Sequence, residues 1–155
     1  MKSFNQSFES FCKKNNIKKN SEQLDLVEKF DEFYAIIKDD KTLLKKIFSK
    51  APQKLGYYVH GDVGVGKTMI CNEFYQYVEL NKKKTHFNKF MIEVHDFLQQ
   101  NQNNENAENL LTQYARTLKD KVSLLYFDEF QVTNIVDAMI LGKLFQSLFD
   151  EKIFI

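Results

Sequence analysis

The segment Gly61-Asp62-Val63-Gly64-Val65-Gly66-Lys67-Thr68 decides how this sequence is interpreted. It fits the pattern G-x-x-x-x-G-K-[ST], in which glycines let the backbone wrap around a phosphate group. Successive N–H groups and the N-terminus of the following helix would face that anion. The pattern predicts a phosphate-binding (Walker A) loop, in which Lys67 reaches the β- and γ-phosphates of ATP and the Thr68 hydroxyl ligates Mg²⁺.

The flanks of this loop agree with the interpretation. Tyr57-Tyr58-Val59-His60 is short, β-prone and bounded by glycines, so it predicts a buried strand, and residues 69–80 have helical character. An ordinary glycine-rich turn between a strand and a helix is the alternative, which the flanking elements disfavour.

A second motif follows 61 residues after Lys67, where the apolar run Leu124-Leu125-Tyr126-Phe127 ends in Asp128 and Glu129 (Walker B). Buried parallel strands deliver residues to the crevice at their carboxyl ends, where ligands bind. Asp128 would hold Mg²⁺, and Glu129 would act as general base or position the attacking water. A solvated strand end is the alternative reading of the two acids.

Composition limits the remaining classes of protein. The chain has 155 residues and a net charge of +1, which argues against a protein that mainly neutralises phosphate backbones. Cys12 and Cys71 cannot form a disulfide framework, so a reducing compartment is the simpler assumption. Apolar runs do not exceed five residues, against about 20 for a membrane span, and a secretory signal is not expected because residues 1–5 contain no apolar run.

The distribution of charge and the single proline, Pro52, indicate a boundary in the chain near residue 54. Residues 1–54 carry 12 lysines and 8 acids, net +4, whereas residues 55–155 are net −3. We predict a helical N-terminal arm over 1–54, which either packs on the following domain or offers a basic docking surface. Apolar residues at three- and four-residue spacing place one helix on Leu26, Val27, Phe30, Phe33, Tyr34 and Ile37, and a second, shorter helix on residues 43–48.

Strand and helix signals alternate over residues 55–155. This alternation predicts an α/β fold with a parallel sheet that helices cover on both sides. The expected elements are a strand at 85–90, a helix at 91–100, a solvated loop at 99–109, helices at 110–119 and 135–149, and the start of a further strand at 152–155. The last helix is expected to keep Val136, Met139, Ile140, Leu144, Phe145, Leu148 and Phe149 on one face.

Several weaker signals have ordinary interpretations. His60, His86 and His95 lack the spacing of a zinc site. Residues 86–91 are expected to supply core side chains, with a substrate-facing pore loop as the alternative. Lys82-Lys83-Lys84 is expected to be a solvated turn, with a contact to lipid or a partner as the alternative, and Cys71 a small buried apolar residue.

The residues around both motifs resemble the ZapE-type cell-division ATPases and the related AFG-like ATPases of the AAA+ class. The resemblance covers roughly residues 20–155. It is carried by residues 56–69, by His86-Phe87-Asn88-Lys89-Phe90-Met91 and Val94-His95, by residues 127–133 and by residues 137–141.

The resemblance implies a P-loop NTPase core of three layers around a parallel sheet, which acts as an oligomeric ring. The nucleotide would contact Gly61, Asp62, Val63, Gly64, Val65, Gly66, Lys67, Thr68 and Met69. The sensor, arginine finger and lid of such proteins would lie beyond Ile155, so we expect the 155-residue chain alone to bind nucleotide weakly and to hydrolyse it slowly or not at all. Asn88 and Asn134 depart from the family pattern, as does the absent Asp-Pro before residue 110, and Arg116 is expected to be a solvated helix residue.

Two functions follow from these residues and the resemblance. The first is a Mg²⁺-dependent ATPase that couples hydrolysis to work on a protein partner, in cell division or in protein quality control. The second is a nucleotide-gated adaptor without efficient hydrolysis, and Glu129 distinguishes the two because a pure switch has less need of a base. A small-molecule kinase lacks a phosphoacceptor signature. A bacterial cytoplasm is favoured over a mitochondrion, no nucleic-acid partner is expected, and peripheral membrane association is compatible with the resemblance.

Overall fold

The computed structural model of the protein describes residues 2–39, 55–62, 64–101 and 107–155. These residues divide into two compact units, Met1–Glu79 and Leu80–Ile155. The boundary predicted between residues 54 and 55 borders the undescribed stretch 40–54, and the helix predicted at 43–48 lies within it. Most of the predicted solvated loop, residues 102–106, also lies outside the described residues.

The first unit contains three helices, α1 (Phe4–Lys14), α2 (Ser21–Asp39) and α3 (Lys67–Tyr77). Helix α1 begins with a capping box in which the side chains of Ser3 and Gln6 each accept a backbone N–H of the other residue. The Asp31 carboxylate of α2 accepts two further N–H groups of that first turn, at 2.6 and 2.9 Å. A side chain of α2 therefore satisfies the exposed end of α1 and joins the two helices.

Aromatic side chains form the core of the first unit. The predicted apolar face of α2 is confirmed, since Val27, Phe30, Phe33, Tyr34 and Ile37 are buried. Phe74 of α3 stacks on Phe30 with a centroid distance of 4.5 Å and meets Phe4 edge-on at 5.2 Å. This packing holds α3, the helix that follows the glycine-rich loop, against α1 and α2.

The strand predicted at Tyr57-Tyr58-Val59-His60 is wrong, because residues 55–60 have no regular secondary structure. Tyr57 packs edge-on against Phe30 and Phe33 of α2, and Tyr58 is 69% exposed and stacks on His60. β-propensity expresses how well a side chain fits a sheet surface. Here the aromatic side chains pack on a helix or on each other, and the backbone joins no described strand.

The second unit contains two parallel strands and three helices: β1 (Lys82–His86), α4 (Phe87–Asn101), α5 (Ala107–Lys119), β2 (Leu124–Asp128) and α6 (Ile135–Asp150). The register pairs Lys82 with Leu124 at one end and His86 with Asp128 at the other. The predicted parallel pairing is confirmed. Phe154 forms a parallel bridge with Leu124, where the sequence predicts the start of a further strand.

Strand β1 begins three residues earlier than the sequence predicts and ends at His86. Lys82, Lys83 and Lys84 therefore lie in a strand, and the prediction of a solvated turn is wrong. Lys83 pairs with Glu93 of α4, and Lys84 pairs with Asp128 of β2 at 3.2 Å. These carboxylates compensate the lysine charges at the sheet, and the long lysine stems suit its surface.

Phe87, Phe90 and Met91 are buried on α4, which confirms their predicted place in the core. They belong to a cluster that also contains Leu125 of β2 and Leu144 of α6. Since these side chains are inside the second unit, residues 86–91 do not form the alternative, a substrate-facing loop.

Helix α6 confirms the predicted apolar face in its later turns, where Ile140 and Phe145 also pack against the core, but not in its first turns. Leu144 and Leu148 are buried as expected, but Val136 is exposed and Met139 is 80% exposed. The first two turns of α6 are apolar on several sides, so apolar positions alone do not identify the inward face. The described helices include none with the combined length and apolarity that a bilayer crossing requires.

Candidate functional site

The glycine-rich loop adopts a backbone that side chains would resist. Gly61, Gly64 and Gly66 have φ angles of +141°, +85° and +90°. Gly66 is the N-cap of α3, and its carbonyl accepts the N–H of Ile70 at 3.1 Å. The left-handed conformation is accessible to glycine at little cost, so the pattern of glycines matches the turn that leads into α3.

Lys67 is the first residue of α3 and is half-buried. Its Nζ donates to the carbonyls of Gly61 at 2.8 Å and Asp62 at 2.5 Å. The ammonium group therefore lies across the start of the loop. The same positive charge, beside the loop amides, is suited to a phosphate oxygen.

The N-terminus of α3 supplies the other donors. The first N–H groups of a helix lack partners within it and carry a partial positive charge, and no acidic residue lies in the first turn of α3. Thr68 is exposed in this turn and Met69 is half-buried, whereas Val63 lies outside the described residues. Further along α3, burial raises the pKa of the Glu73 carboxyl.

The loop has one neighbour that the sequence analysis missed. Gln23, near the start of α2, donates from Nε2 to the Val65 carbonyl at 2.9 Å. The spacing of Asn20 and Gln23 is typical of a capping box, so a helix start there could have been found. The contact with the loop could not, because 42 residues separate its two partners.

Asp128 and Glu129 lie in the second unit, at the carboxyl ends of the two parallel strands. Asp128 is the last residue of β2 and pairs in register with His86, the last residue of β1. Lys84 contacts one Asp128 oxygen at 3.2 Å. The predicted strand is therefore confirmed and extends one residue further, to Asp128, with Glu129 directly after it and His86 and Lys84 as neighbours of the two acids.

Glu129 has an unusual backbone for a glutamate, with a φ of +52°. Its side chain is 79% exposed, and its Oε2 lies 3.8 Å from Nδ1 of His86. A left-handed residue directly after a strand turns the chain sharply and costs free energy for any side chain with a Cβ. Such outliers persist only where the surrounding structure holds them.

The segment after Glu129 is anchored at α6. The Asn134 side chain caps this helix by accepting the N–H of Val136 at 2.8 Å, so the departure from the family pattern at this position preserves a capping group. Asp137 is 7% exposed, and its Oδ1 lies 2.6 Å from Nε2 of His95 on α4. This pair joins α4 to the first turn of α6.

Thr68 and Asp128 are the predicted Mg²⁺ ligands. Hydroxyl and carboxylate oxygens are ligands that Mg²⁺ prefers, and this ion usually keeps several waters and few protein ligands. Two such donors therefore suit it chemically. Across the described ranges, no group of three or more His, Cys, Asp or Glu side chains is arranged to hold a metal ion by itself.

The structure thus assembles two sets of predicted residues. Gly61, Asp62 and Lys67 come together in the loop of the first unit. Asp128 and Glu129 come together at the strand ends of the second unit, beside His86.

Comparison with known proteins gives a consistent result. The AFG1-like ATPase family matches residues 4–155. Over 110 residues the chain is 41% identical to lactation elevated protein 1 homolog B of Danio rerio, covering 65% of this chain and 22% of that protein. Over 95 residues it is 39% identical to the cell division protein ZapE of Escherichia coli K12, covering 61% and 24%.

A protein of Schizosaccharomyces pombe that bears the name uncharacterized protein C115.02c is 34% identical over 121 residues, covering 68% of this chain and 27% of that protein. The chain therefore spans about a quarter of the length of these curated relatives. No solved structure matches it. Since the family match includes almost every residue, with the loop and the acidic pair inside it, the chain belongs to the AFG1-like ATPase family.

Proposed function

We propose that the protein binds ATP with Mg²⁺ and hydrolyses it as an AAA+ ATPase, using the loop of residues 61–68 and the pair Asp128–Glu129. The observation that carries this proposal is the loop itself. Three glycines with positive φ lead into α3, whose first residue is a lysine with its ammonium group turned back over the loop. Membership of an ATPase family supports the same reaction.

In this proposal each group has one role. The N–H groups of the loop and of the start of α3 bind the β- and γ-phosphates, together with Lys67. Thr68 and Asp128 would hold Mg²⁺, which supplies charge stabilisation at the phosphates when bound. Glu129 orients a water molecule and accepts its proton, and its 79% exposure leaves the carboxylate accessible to that water.

The nucleotide site is tested by titrating ATP with Mg²⁺ into wild type and Lys67→Met. The lysine contributes a charge-assisted hydrogen bond, so its loss should weaken binding about tenfold or more. Lys89→Met, at an exposed position of α4, is the matched control and should bind as wild type does. Equal affinity in all three proteins would contradict the proposed site.

The hydrolytic role is tested separately, by phosphate release from wild type and Glu129→Gln after both are shown to bind ATP. A positioned general base contributes at least about 100-fold, so the variant should lose that factor while it retains ATP. Glu28→Gln, at an exposed position of α2, is the control. Equal rates in wild type and Glu129→Gln would remove the base and favour the nucleotide-gated adaptor.

We extend the proposal to a protein partner and to a homo-oligomeric ring. One relative bears the name of a cell division protein, which supports a division-related partner, and we place that work in a bacterial cytoplasm. Light scattering with and without ATP and Mg²⁺ tests the ring, because a closed assembly should appear as a single species several protomers in mass. A monomer at micromolar concentration under both conditions would contradict it.

A further inference from the structure

Gln23 connects the second helix to the glycine-rich loop. It is the third residue of α2, and its Nε2 donates to the Val65 carbonyl at 2.9 Å in a partly buried contact. Both groups belong to the first unit. This hydrogen bond ties a residue of the N-terminal arm directly to the backbone of the loop.

The Gln23 amide is held at both of its ends. Its Oε1 accepts the N–H of Asn20 at 3.3 Å, while the Asn20 side chain accepts the N–H of Gln23 at 2.8 Å. This reciprocal pair is the arrangement of a capping box at a helix start. Because Oε1 is engaged there, the NH₂ group is the end that faces the loop.

The bond to Val65 also fixes the neighbouring N–H group. The peptide between Val65 and Gly66 is planar and trans, so its carbonyl and its N–H point in opposite directions. With the carbonyl held toward α2, the Gly66 N–H points away from that helix. It is the N–H immediately before α3, among the donors that would face a phosphate.

Close packing reinforces this arrangement. A Cβ added to Gly66 would lie 2.7 Å from Nε2 of Gln23, which is closer than real Cβ contacts allow. Glycine at position 66 therefore suits the φ of +90° and also allows the close approach of Gln23, whose amide would have to move away from a Cβ.

We propose that Gln23 is a positioning residue for nucleotide binding, which orients the Gly66 N–H toward the phosphates of ATP through its hydrogen bond to Val65. The inference rests on the proposed function, since it assumes that the loop binds ATP. It makes α2 part of the nucleotide-binding apparatus.

The main test is Gln23→Glu, a substitution of nearly equal size. The glutamate retains an oxygen for the Asn20 N–H, so the helix start is preserved, but it has no N–H for Val65. ATP affinity should fall about three- to tenfold, the range expected for one lost hydrogen bond. Gln99→Glu, at an exposed position of α4, adds the same charge and should not change the affinity.

A spectroscopic measurement separates positioning from general loss of structure. The chain has five glycines, so labelling with ¹⁵N-glycine gives five amide signals, which single substitutions assign. Gln23→Glu should move the Gly66 signal and leave that of Gly142, on α6, unchanged. In wild type the Gly66 signal should move when ATP is added, and in Gln23→Glu it should move less.

The outcomes separate the inference from the proposed function. If wild type binds no ATP, the proposed function fails. Two results would overturn the positioning role and leave the proposed function standing. In the first, wild type binds ATP and the affinity of Gln23→Glu is within twofold of the wild-type affinity. In the second, the wild-type Gly66 signal does not move when ATP is added. If Gln23→Glu does not fold, Gln23→Met removes the N–H donor without adding a charge. The ATP titration of the wild-type Gly66 signal tests the role without any variant of Gln23.

Discussion

At the scale of single residues, Gly64 and Gly66 form a natural comparison. Both have a left-handed φ, but a Cβ at Gly64 would meet nothing within 4 Å, whereas one at Gly66 would meet Gln23. We expect Gly64→Ala to lower the free energy of unfolding by about 1–2 kcal/mol, the cost of the backbone conformation alone. Gly66→Ala should cost more, because Gln23 must also move.

Urea unfolding of the two variants measures this difference. Adding Gln23→Ala to Gly66→Ala should restore the extra free energy of unfolding that this variant loses relative to Gly64→Ala. Adding Gln23→Ala to Gly64→Ala should restore none. Equal costs for the two glycines would show that Gln23 does not confine the loop.

Residues that belong to a local sequence motif can be predicted from the sequence alone. The positive φ angles of the glycines, the return of Lys67 over the loop and the end of β2 at Asp128 agree with what the local motifs predict, whereas the roles of these residues stay predictions. Gln23 could not be predicted in this way, since only tertiary structure brings it to Val65. The same holds for His86, which approaches Glu129 because two strands pair in a particular register.

At the scale of elements, the pair His95–Asp137 joins α4 to α6. Asp137 is almost fully buried, so His95→Ala would leave a carboxylate without its 2.6 Å partner. We expect the free energy of unfolding to fall by about 1–3 kcal/mol, measured by urea unfolding. Asp96→Ala, at the exposed neighbouring position on α4, should change it by less than about 0.5 kcal/mol.

A double-mutant cycle provides the check on this prediction. His95→Ala combined with Asp137→Ala should cost less than the sum of the two single substitutions, because neither partner is then left alone in the interior. Strict additivity would mean that the two side chains do not stabilise one another.

The elements that could be predicted are those in which apolar residues recur at three- and four-residue spacing or form an uninterrupted run. Helices α2, α4 and α5 and strand β2 are of this kind. The strand at residues 57–60 failed because aromatic side chains packed on α2 instead of in a sheet. The start of β1 was predicted three residues too late, because three consecutive lysines favour a solvated turn. The carboxylates that pair with Lys83 and Lys84 become known only from the structure.

At the scale of the whole molecule, the loop proposed to bind ATP and the acidic pair proposed to act in hydrolysis lie in different compact units. The loop belongs to Met1–Glu79, and the acidic pair belongs to Leu80–Ile155. ATP at 100 times its dissociation constant should stabilise the protein by about 2.7 kcal/mol. We expect hydrogen exchange to show this protection in α3 and also around the carboxyl ends of β1 and β2.

Lys67→Met is the control for that experiment; with its affinity lowered about tenfold or more, its protection at the same ATP concentration should not exceed about 1.4 kcal/mol. Protection confined to the first unit would mean that the loop binds ATP without Asp128 and Glu129. Hydrolysis would then have to be assigned to other residues.

The left-handed backbone of Glu129 lowers the stability of the fold at the residue that we propose as the general base. Glycine adopts that conformation without a Cβ penalty, so Glu129→Gly should raise the free energy of unfolding in urea by about 0.5–1 kcal/mol. Its phosphate release should fall by at least about 100-fold, as expected for loss of the proposed base. Lys152→Gly relieves a similar φ of +58° away from the acidic pair and should gain stability with hydrolysis intact. A search that rewarded stability alone would therefore favour replacing the glutamate that we propose as the general base.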